Sequence, residues 1–189
     1  PYLRLVRLSN SLMAGSGALL GEICLPRMHS PTVIAAEFAS LAVLAAAGNI
    51  QNDLGDIRTD RWNEKNRPLA RGEISHRTAF WLALAGYGLG CLLAVWLGWS
   101  QLFLAILITS LLCVYNLSWK RIALLGNLDI AFLCALAIYF PEWPNPPYAT
   151  LYPVLFALLA TLAREIVKDI EDMQGDRRSL MRTLPIITG

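Results

Sequence analysis

Residues 78–119 read TAFWLALAGYGLGCLLAVWLGWSQLFLAILITSLLCVYNLSW, and none of these 42 residues is Asp, Glu, Lys or Arg. A helix needs about 20 apolar residues to cross the hydrocarbon core of a bilayer. The stretch is therefore long enough for two crossings, and Gly98 near its middle predicts the turn between them. Only 16% of the whole chain is charged and 56% is hydrophobic, so a water-soluble fold is excluded.

Further apolar segments lie on both sides of this stretch. We expect all of them to be helices, because an isolated strand leaves its backbone hydrogen bonds unsatisfied in lipid and no alternating barrel pattern occurs. The predicted fold is all-α, a polytopic transmembrane helical bundle with six spans. The predicted spans are residues 8–25, 32–51, 78–98, 102–119, 124–140 and 148–163.

The basic residues flank these spans almost entirely on one side. Fifteen of the sixteen Lys and Arg residues lie there, and only Arg27 lies on the other side. Cytoplasmic loops are enriched in Lys and Arg, so we expect the even-numbered spans to end in the cytoplasm, in the cell membrane. The net charge of +2 is too small to indicate a nucleic-acid partner.

Six of the seven aspartates form two blocks with the common pattern D-x-x-D-x-x-x-D-R. Each block continues the cytoplasmic end of an even-numbered span. We expect each to project from one face of a helix, because residues three and four apart are neighbours on a helix surface. The blocks are Asp53, Asp56 and Asp60, followed by Arg61, and Asp169, Asp172 and Asp176, followed by Arg177.

Like charges on one helix face repel one another, so the two blocks require a compensating cation. Mg²⁺ is typically held by one or two carboxylates together with substrate phosphates, which favours a site for metal and diphosphate between the blocks. The alternative is that both blocks are solvated helix ends whose acids pair with nearby arginines. The repetition of the spacing on one membrane face favours the metal site.

The first block, NDLGDIRTD at residues 52–60, matches in full the N-D-x-x-D-x-x-x-D motif of the UbiA superfamily of intramembrane prenyltransferases. The resemblance runs through nearly the whole chain. The stretch REIVKDIEDMQGD at residues 164–176 is most similar to the digeranylgeranylglyceryl phosphate synthase branch. Other positions similar to the family are the NRPL run at 66–69, Gly72, Tyr115, Lys120, Arg121, Gly126 and Asn127.

The resemblance implies a fold of about nine spans, of which the 189 residues hold six. We therefore expect residues 1–189 to form a single transmembrane prenyltransferase domain that is incomplete at its C-terminus. The resemblance also implies Mg²⁺ as cofactor and a catalytic site on the cytoplasmic side. It adds Asn52 to the predicted metal ligands Asp53, Asp56, Asp60, Asp169, Asp172 and Asp176.

Basic residues near the two blocks are candidates for holding the phosphate oxygens that the metal leaves uncoordinated. Basic side chains at cytoplasmic helix ends are also expected for topology alone. Tyr115 could contact a phosphate or a developing cation, although interfacial tyrosines are common. The predicted substrate-binding residues are Asn52, Arg67, Tyr115, Lys120, Arg121, Arg164 and Lys168, and the predicted catalytic residues are Asp56, Asp60, Asp172, Lys120 and Lys168.

By resemblance, the predicted reaction transfers a geranylgeranyl group from its diphosphate to the hydroxyl of geranylgeranylglyceryl phosphate. The partners would then be a prenyl diphosphate, a lipid-like phosphate acceptor and membrane lipid, and no oligomeric state is predicted. One alternative is an aromatic prenyltransferase of the quinone type. Another is a membrane cation transporter, which the scarcity of ionisable groups at mid-depth disfavours.

Several remaining residues receive structural interpretations. Glu22 and Glu37, near the outer ends of the first two spans, are expected to reach the outer interface or to pair with Arg27. His29 and His76 lie in loops, outside any metal-spaced cluster. The glycines predicted to allow close helix packing are Gly15, Gly17, Gly21, Gly86, Gly88 and Gly90.

Overall fold

The computed structural model describes residues 1–62, 66–178 and 183–188, except for the side chains of residues 62, 174–176 and 178. Within these ranges the chain forms helices and contains no strand. The helices are α1 (Tyr2–Leu5), α2 (Leu8–Ile23), α3 (Pro31–Gly55), α4 (Ile57–Trp62), α5 (His76–Leu97), α6 (Trp99–Leu117), α7 (Leu125–Tyr139), α8 (Leu151–Arg178) and α9 (Leu184–Thr188), with short 3₁₀ turns at Trp119–Arg121 and Tyr148–Thr150.

Four helical segments are long and apolar enough to cross a membrane: α3, α5, α6 and the segment Tyr148–Met173. Each of the six predicted spans coincides with a helix, and the predicted all-α class is confirmed. Two of those helices are short, since α2 has 16 residues and α7 has 15. The predicted turn at Gly98 is confirmed as the break between α5 and α6, and the φ of Gly98, 145°, lies in a region that favours glycine.

The core of the bundle is centred on α3, which packs against α2, α5 and α6, while α7 packs against α2 and α8. Leu44 on α3, Leu104 on α6 and Phe140 after α7 are fully buried in one cluster. The outward faces of α5 and α6 expose large apolar side chains such as Trp96 and Phe103. This surface suits contact with lipid rather than water.

Glycines allow α2 to approach α7 closely. A Cβ added at Gly21 would lie 2.2 Å from the carbonyl oxygen of Ile138, and one at Gly17 would lie 2.7 Å from the Cβ of Ala137. The predicted packing role is confirmed at these positions. It is wrong for Gly88, where an added Cβ would meet nothing within 4 Å.

The expectation that the first aspartate block lies on one continuous helix is wrong. α3 ends at Gly55, Asp56 adopts a non-helical backbone (φ −104°, ψ 10°), and α4 begins at Ile57. Glycine lowers helix stability at this point. It also makes room for a neighbour, because a Cβ on Gly55 would lie 3.0 Å from Nζ of Lys120. The second block, in contrast, lies on the continuous helix α8.

Candidate active site

A cavity opens at the end of the bundle where α3 meets α4. Its empty volume is about 550 Å³, including the space at its mouth. We call it the aspartate cavity. The residues that line it are Arg7, Asn52, Asp56, Thr59, Asp60, Arg67, Tyr115, Lys120, Lys168, Asp169, Asp172 and Thr183.

Asp56, at the break between α3 and α4, forms an ion pair with Lys120. Nζ of Lys120 donates to Oδ1 of Asp56 over 2.5 Å, and the Lys120 side chain is only 6% exposed. Lys120 reaches this position from the 3₁₀ turn after α6, and the missing side chain of Gly55 leaves space for its ammonium group. The helix break therefore brings a carboxylate and an ammonium group to the same wall of the cavity.

Asp53 lies beneath that wall and is fully buried. Its Oδ1 accepts from the guanidinium of Arg7, which is itself largely buried. Oδ2 of Asp53 has no hydrogen-bond partner among the described residues. Arg7 occupies the left-handed backbone region (φ 47°), which is unfavourable for a non-glycine residue.

Asp169 and Asp172 of the second aspartate block face the same cavity from α8. Nδ2 of Asn127, in the first turn of α7, donates to Oδ2 of Asp169 over 2.9 Å and orients that carboxylate. Lys168 donates to buried Glu165 over 3.0 Å while also lining the cavity. Arg164 donates to the other oxygen of Glu165 over 2.8 Å, so Glu165 anchors two cations on α8.

The structure brings most of the predicted site residues together. Nine of them line the cavity: Asn52, Asp56, Asp60, Arg67, Tyr115, Lys120, Lys168, Asp169 and Asp172.

Four predicted site residues stand apart from these nine. Asp53 is buried behind the cavity wall, and Arg121 and Arg164 are exposed outside the lining. The fourth is Asp176, whose side chain lies outside the described residues.

Sequence reasoning assigned no site role to Arg7, Thr59 or Thr183, which also line the cavity. Nor did it foresee that Asn127 and Glu165 support the second block. Arg7 directly precedes the first predicted span, and a basic residue at this place is expected from membrane topology alone. Its contact with Asp53 depends on how α2 packs against α3, a property that sequence spacing does not reveal.

The donor set of the cavity fits a hard divalent cation. Four carboxylates and the Asn52 amide line it from α3, the break after it, α4 and α8, and the buried Oδ2 of Asp53 lacks a partner among the described residues. Oxygen ligands of this kind are those that Mg²⁺ prefers. Arg67, Lys120 and Lys168 stand beside the carboxylates, so the same cavity can bind an anion such as a diphosphate.

Comparison with known proteins supports this interpretation. The sequence profile of the UbiA prenyltransferase family matches residues 16–189. The chain is 34% identical over 197 residues to a digeranylgeranylglyceryl phosphate synthase of Metallosphaera sedula, covering 100% of this chain and 68% of the relative. A synthase of the same name from Methanopyrus kandleri is 35% identical over 190 residues, covering 100% of this chain and 69% of the relative.

Solved structures share the fold. A digeranylgeranylglyceryl phosphate synthase structure superimposes with a TM-score of 0.82 at 30% identity, covering 98% of this chain and 67% of that one. A UbiA homologue from Archaeoglobus fulgidus, bound to DMAPP and Mg²⁺, gives a TM-score of 0.83 at 22% identity, covering 100% and 69%. This second likeness concerns the fold alone.

The chain belongs to the UbiA prenyltransferase family. It is accordingly a multi-pass membrane protein and a prenyltransferase, as the sequence motifs predicted.

Proposed function

We propose that this protein transfers a geranylgeranyl group from geranylgeranyl diphosphate to the free hydroxyl of geranylgeranylglyceryl phosphate, with Mg²⁺ as cofactor. The product is an ether lipid, and diphosphate is released. The observation that carries the proposal is the aspartate cavity, which carboxylates of both aspartate blocks line together with Arg67, Lys120 and Lys168. The curated relatives from Metallosphaera sedula and Methanopyrus kandleri bear the name of this synthase.

Residues of both aspartate blocks are the proposed metal ligands. Asn52, Asp56 and Asp60 face the cavity from one side, and Asp169 and Asp172 face it from the other. Bound Mg²⁺ would neutralise charge on the departing diphosphate and so ease cleavage of the allylic C–O bond. Asn127 keeps the carboxylate of Asp169 oriented toward this position by its hydrogen bond. Asp53 and Asp176 remain proposed ligands as well.

The basic residues of the cavity would bind the diphosphate oxygens. The ammonium group of Lys120 is held in place by Asp56 and that of Lys168 by Glu165. Both cations are therefore preorganised toward the charge that develops on the leaving group. When the C–O bond breaks, the bonding electrons remain with the diphosphate. The acceptor hydroxyl then bonds to the allylic carbon and loses its proton.

A phosphate-bearing acceptor suits the charge at this end of the bundle. Such an acceptor brings negative charge beyond that of the diphosphate, and a neutral phenol would not. Arg121 and Arg164 are exposed outside the cavity lining, where they could reach a second phosphate. Loss of one charge-assisted contact to the acceptor phosphate, about 1.5–3 kcal/mol, corresponds to roughly a ten- to hundredfold loss of affinity for the acceptor.

The cavity is proposed to open to the cytoplasm. It lies at the end of the bundle that carries Arg7, Arg67, Lys120 and Lys168. Arg27, the only basic residue on the other side in the sequence pattern, lies in the connection between α2 and α3, at their opposite ends. An excess of Lys and Arg marks cytoplasmic loops.

The proposal is tested by incubating the purified protein in detergent with Mg²⁺, radiolabelled geranylgeranyl diphosphate and separate acceptors. We expect a labelled ether lipid with geranylgeranylglyceryl phosphate and no product after chelation of Mg²⁺. Replacing Arg164 by Gln should raise the KM for the glyceryl phosphate more than that for the diphosphate. Prenylation of 4-hydroxybenzoate instead of the glyceryl phosphate would overturn the acceptor assignment and leave the metal-dependent transfer intact.

A further inference from the structure

A second group of ionisable side chains lies at the opposite end of the bundle. Glu22 on α2 and Glu37 on α3 converge on His29 in the connection between these helices, with Glu142 beside it. We call these four residues the Glu–His cluster. Glu37 and Asp53 lie on the same helix, 16 residues apart, which corresponds to about 24 Å at 1.5 Å per residue. The cluster is therefore separate from the aspartate cavity.

The sequence-based interpretation of these residues is wrong. Glu22 and Glu37 do not reach the outer interface, because they are only 0% and 1% exposed. Within the described ranges, no ion pair joins either of them to Arg27. His29, which seemed isolated along the sequence, lies against both carboxylates. Ligand atoms of Glu22, His29 and Glu37 all lie within 4.8 Å of one another.

Close helix packing creates this arrangement. Gly21 lies against the carbonyl oxygen of Ile138, so the end of α2 is pressed onto the end of α7 and the adjacent Glu22 is enclosed. α3 starts at Pro31, a favourable residue for the first turn of a helix. Glu37, about two turns further along α3, then faces Glu22. His29, in the short connection between the helices, then lies next to the side chains of Glu22 and Glu37.

The imidazole of His29 is the shared partner of these carboxylates. Its Nδ1 lies 2.6 Å from Oε1 of Glu22 and 3.8 Å from Oε1 of Glu37. The backbone N–H of His29 donates to Oε2 of Glu22 over 2.9 Å. Nε2 on the other side of the ring lies 3.8 Å from Oε1 of Glu142.

Glu37 is the side chain that these contacts do not satisfy. Its Oε2 is buried and has no hydrogen-bond partner among the described residues, and its contact with Nδ1 of His29 is beyond hydrogen-bond length. Three carboxylates surround one imidazole, so even a protonated His29 leaves an excess of negative charge. Burying carboxylates without a compensating cation is strongly unfavourable.

We propose that the Glu–His cluster binds one divalent cation of the zinc class, with His29, Glu22 and Glu37 as its protein ligands. One imidazole nitrogen and two carboxylate oxygens form a donor set typical of Zn²⁺, and imidazole disfavours Mg²⁺ and Ca²⁺. The cation displaces the proton between Nδ1 of His29 and Oε1 of Glu22, and these atoms move apart from 2.6 Å to accommodate Zn–N and Zn–O bonds of about 2.0–2.2 Å each. Nε2–H of His29 then faces Glu142, the arrangement of carboxylate, histidine and metal that orients a metal-bound imidazole.

This cation adds a direct link between elements that already pack against one another. Its ligands come from α2, from α3 and from the connection between them, and Glu142 follows α7. The site therefore stabilises the end of the bundle opposite the aspartate cavity. It does not depend on the proposed transfer reaction.

Zinc binding is tested with the purified protein in detergent, stripped with a chelator and kept in excess Mg²⁺ so that the aspartate cavity is occupied. After incubation with ZnCl₂ and desalting, bound metal is measured by mass spectrometry and affinity by calorimetry. We expect about one zinc per chain. His29→Gln and Glu37→Gln should weaken binding by more than about 100-fold, and Glu142→Gln by about tenfold, since orienting partners typically contribute 10- to 100-fold.

Two control variants separate this site from other zinc binding. His76→Gln removes an exposed histidine at the other end of the bundle and should keep one zinc. Asp56→Asn alters the aspartate cavity and should also retain one bound zinc. Loss of zinc in Asp56→Asn together with retention in Glu37→Gln would overturn the proposal, because the metal would then occupy the aspartate cavity.

Thermal unfolding provides a readout that does not depend on activity. Zinc should raise the Tm of the wild-type protein and of His76→Gln, and it should leave that of Glu37→Gln unchanged. Metal-free Glu37→Gln should melt at or above the wild-type temperature, because the variant removes an unsatisfied buried carboxylate. Absence of zinc binding by the wild-type protein would overturn the proposal and indicate that Glu22 and Glu37 share a proton instead.

Discussion

We propose two functions for Lys120 in the aspartate cavity, and a single substitution can test them. It neutralises Asp56 at the helix break, and it presents an ammonium group to the proposed diphosphate position. Lys120→Met should lower kcat/KM for geranylgeranyl diphosphate by about ten- to a hundredfold, the value of a charge-assisted contact of about 1.5–3 kcal/mol. The measurement is steady-state transfer with labelled diphosphate.

Arg77→Met is the matched control, because Arg77 is exposed in the first turn of α5 and lies outside the cavity. Its kinetics should match those of the wild-type protein. Arg121→Met should cause a smaller loss than Lys120→Met, since Arg121 does not line the cavity. Equal losses at positions 120 and 121 would contradict the assignment of the diphosphate contact to Lys120.

Arg7 and Asp53 form a largely buried ion pair beside the cavity, and we expect it to matter for stability. Removing one partner of a buried pair leaves an uncompensated charge and costs about 3–5 kcal/mol. Arg7→Met should therefore lower the Tm in detergent by several degrees. The double variant Arg7→Met with Asp53→Asn should recover much of that loss, because the stranded carboxylate is gone.

Arg4→Met provides the comparison for this experiment. Arg4 pairs with Glu73 near the surface, where its side chain is 45% exposed, and exposed pairs contribute at most about 1 kcal/mol. Its Tm should differ little from that of the wild-type protein. If the double variant is no more stable than Arg7→Met, burial of an unpaired Asp53 charge is not the cause of the loss.

At the scale of elements, the close contact between α2 and α7 depends on glycine. Gly21 meets the backbone of Ile138 rather than a side chain, so an added methyl group cannot be accommodated by a rotamer change. Gly21→Ala should therefore destabilise the protein by about 1–3 kcal/mol, the usual effect of overpacking. Thermal unfolding of the purified protein measures this loss.

Gly88→Ala tests whether the effect arises from packing alone. Gly88 also lies within an apolar helix, but an added Cβ there meets nothing within 4 Å. Alanine is favoured over glycine in a helix by up to about 1 kcal/mol, so this variant should be as stable as the wild-type protein or more stable. Similar destabilisation by both substitutions would count against the close contact at Gly21.

At the scale of the whole molecule, the distribution of charge predicts the orientation in the membrane. The loop containing Arg71 should face the cytoplasm and the connection containing Asn145 should face the opposite side. Both residues are exposed. Single cysteines at these positions, in a background without the four native cysteines, should react with a membrane-impermeant reagent from opposite sides. Labelling of both from one side would contradict this topology.

The amino-acid sequence alone determined the class of fold and predicted the residues of the site. The apolar run at residues 78–119 requires helices in a membrane, because only internal hydrogen bonding satisfies a backbone in lipid. The repeated aspartate spacing predicted a cation and phosphate site, and nine of the predicted residues line one cavity. Local patterns sufficed here, because length, hydropathy and residue type are properties of the chain itself.

Only the tertiary structure revealed contacts between residues distant in sequence. The ion pair at the helix break joins Asp56 to an ammonium group from residue 120, and the ion pair of Arg7 with Asp53 joins positions 46 residues apart. Glu22, His29 and Glu37 look unrelated along the chain and become neighbours through the packing of α2, α3 and α7. Such contacts depend on how the helices pack, and the helical periodicity of each segment does not specify that packing.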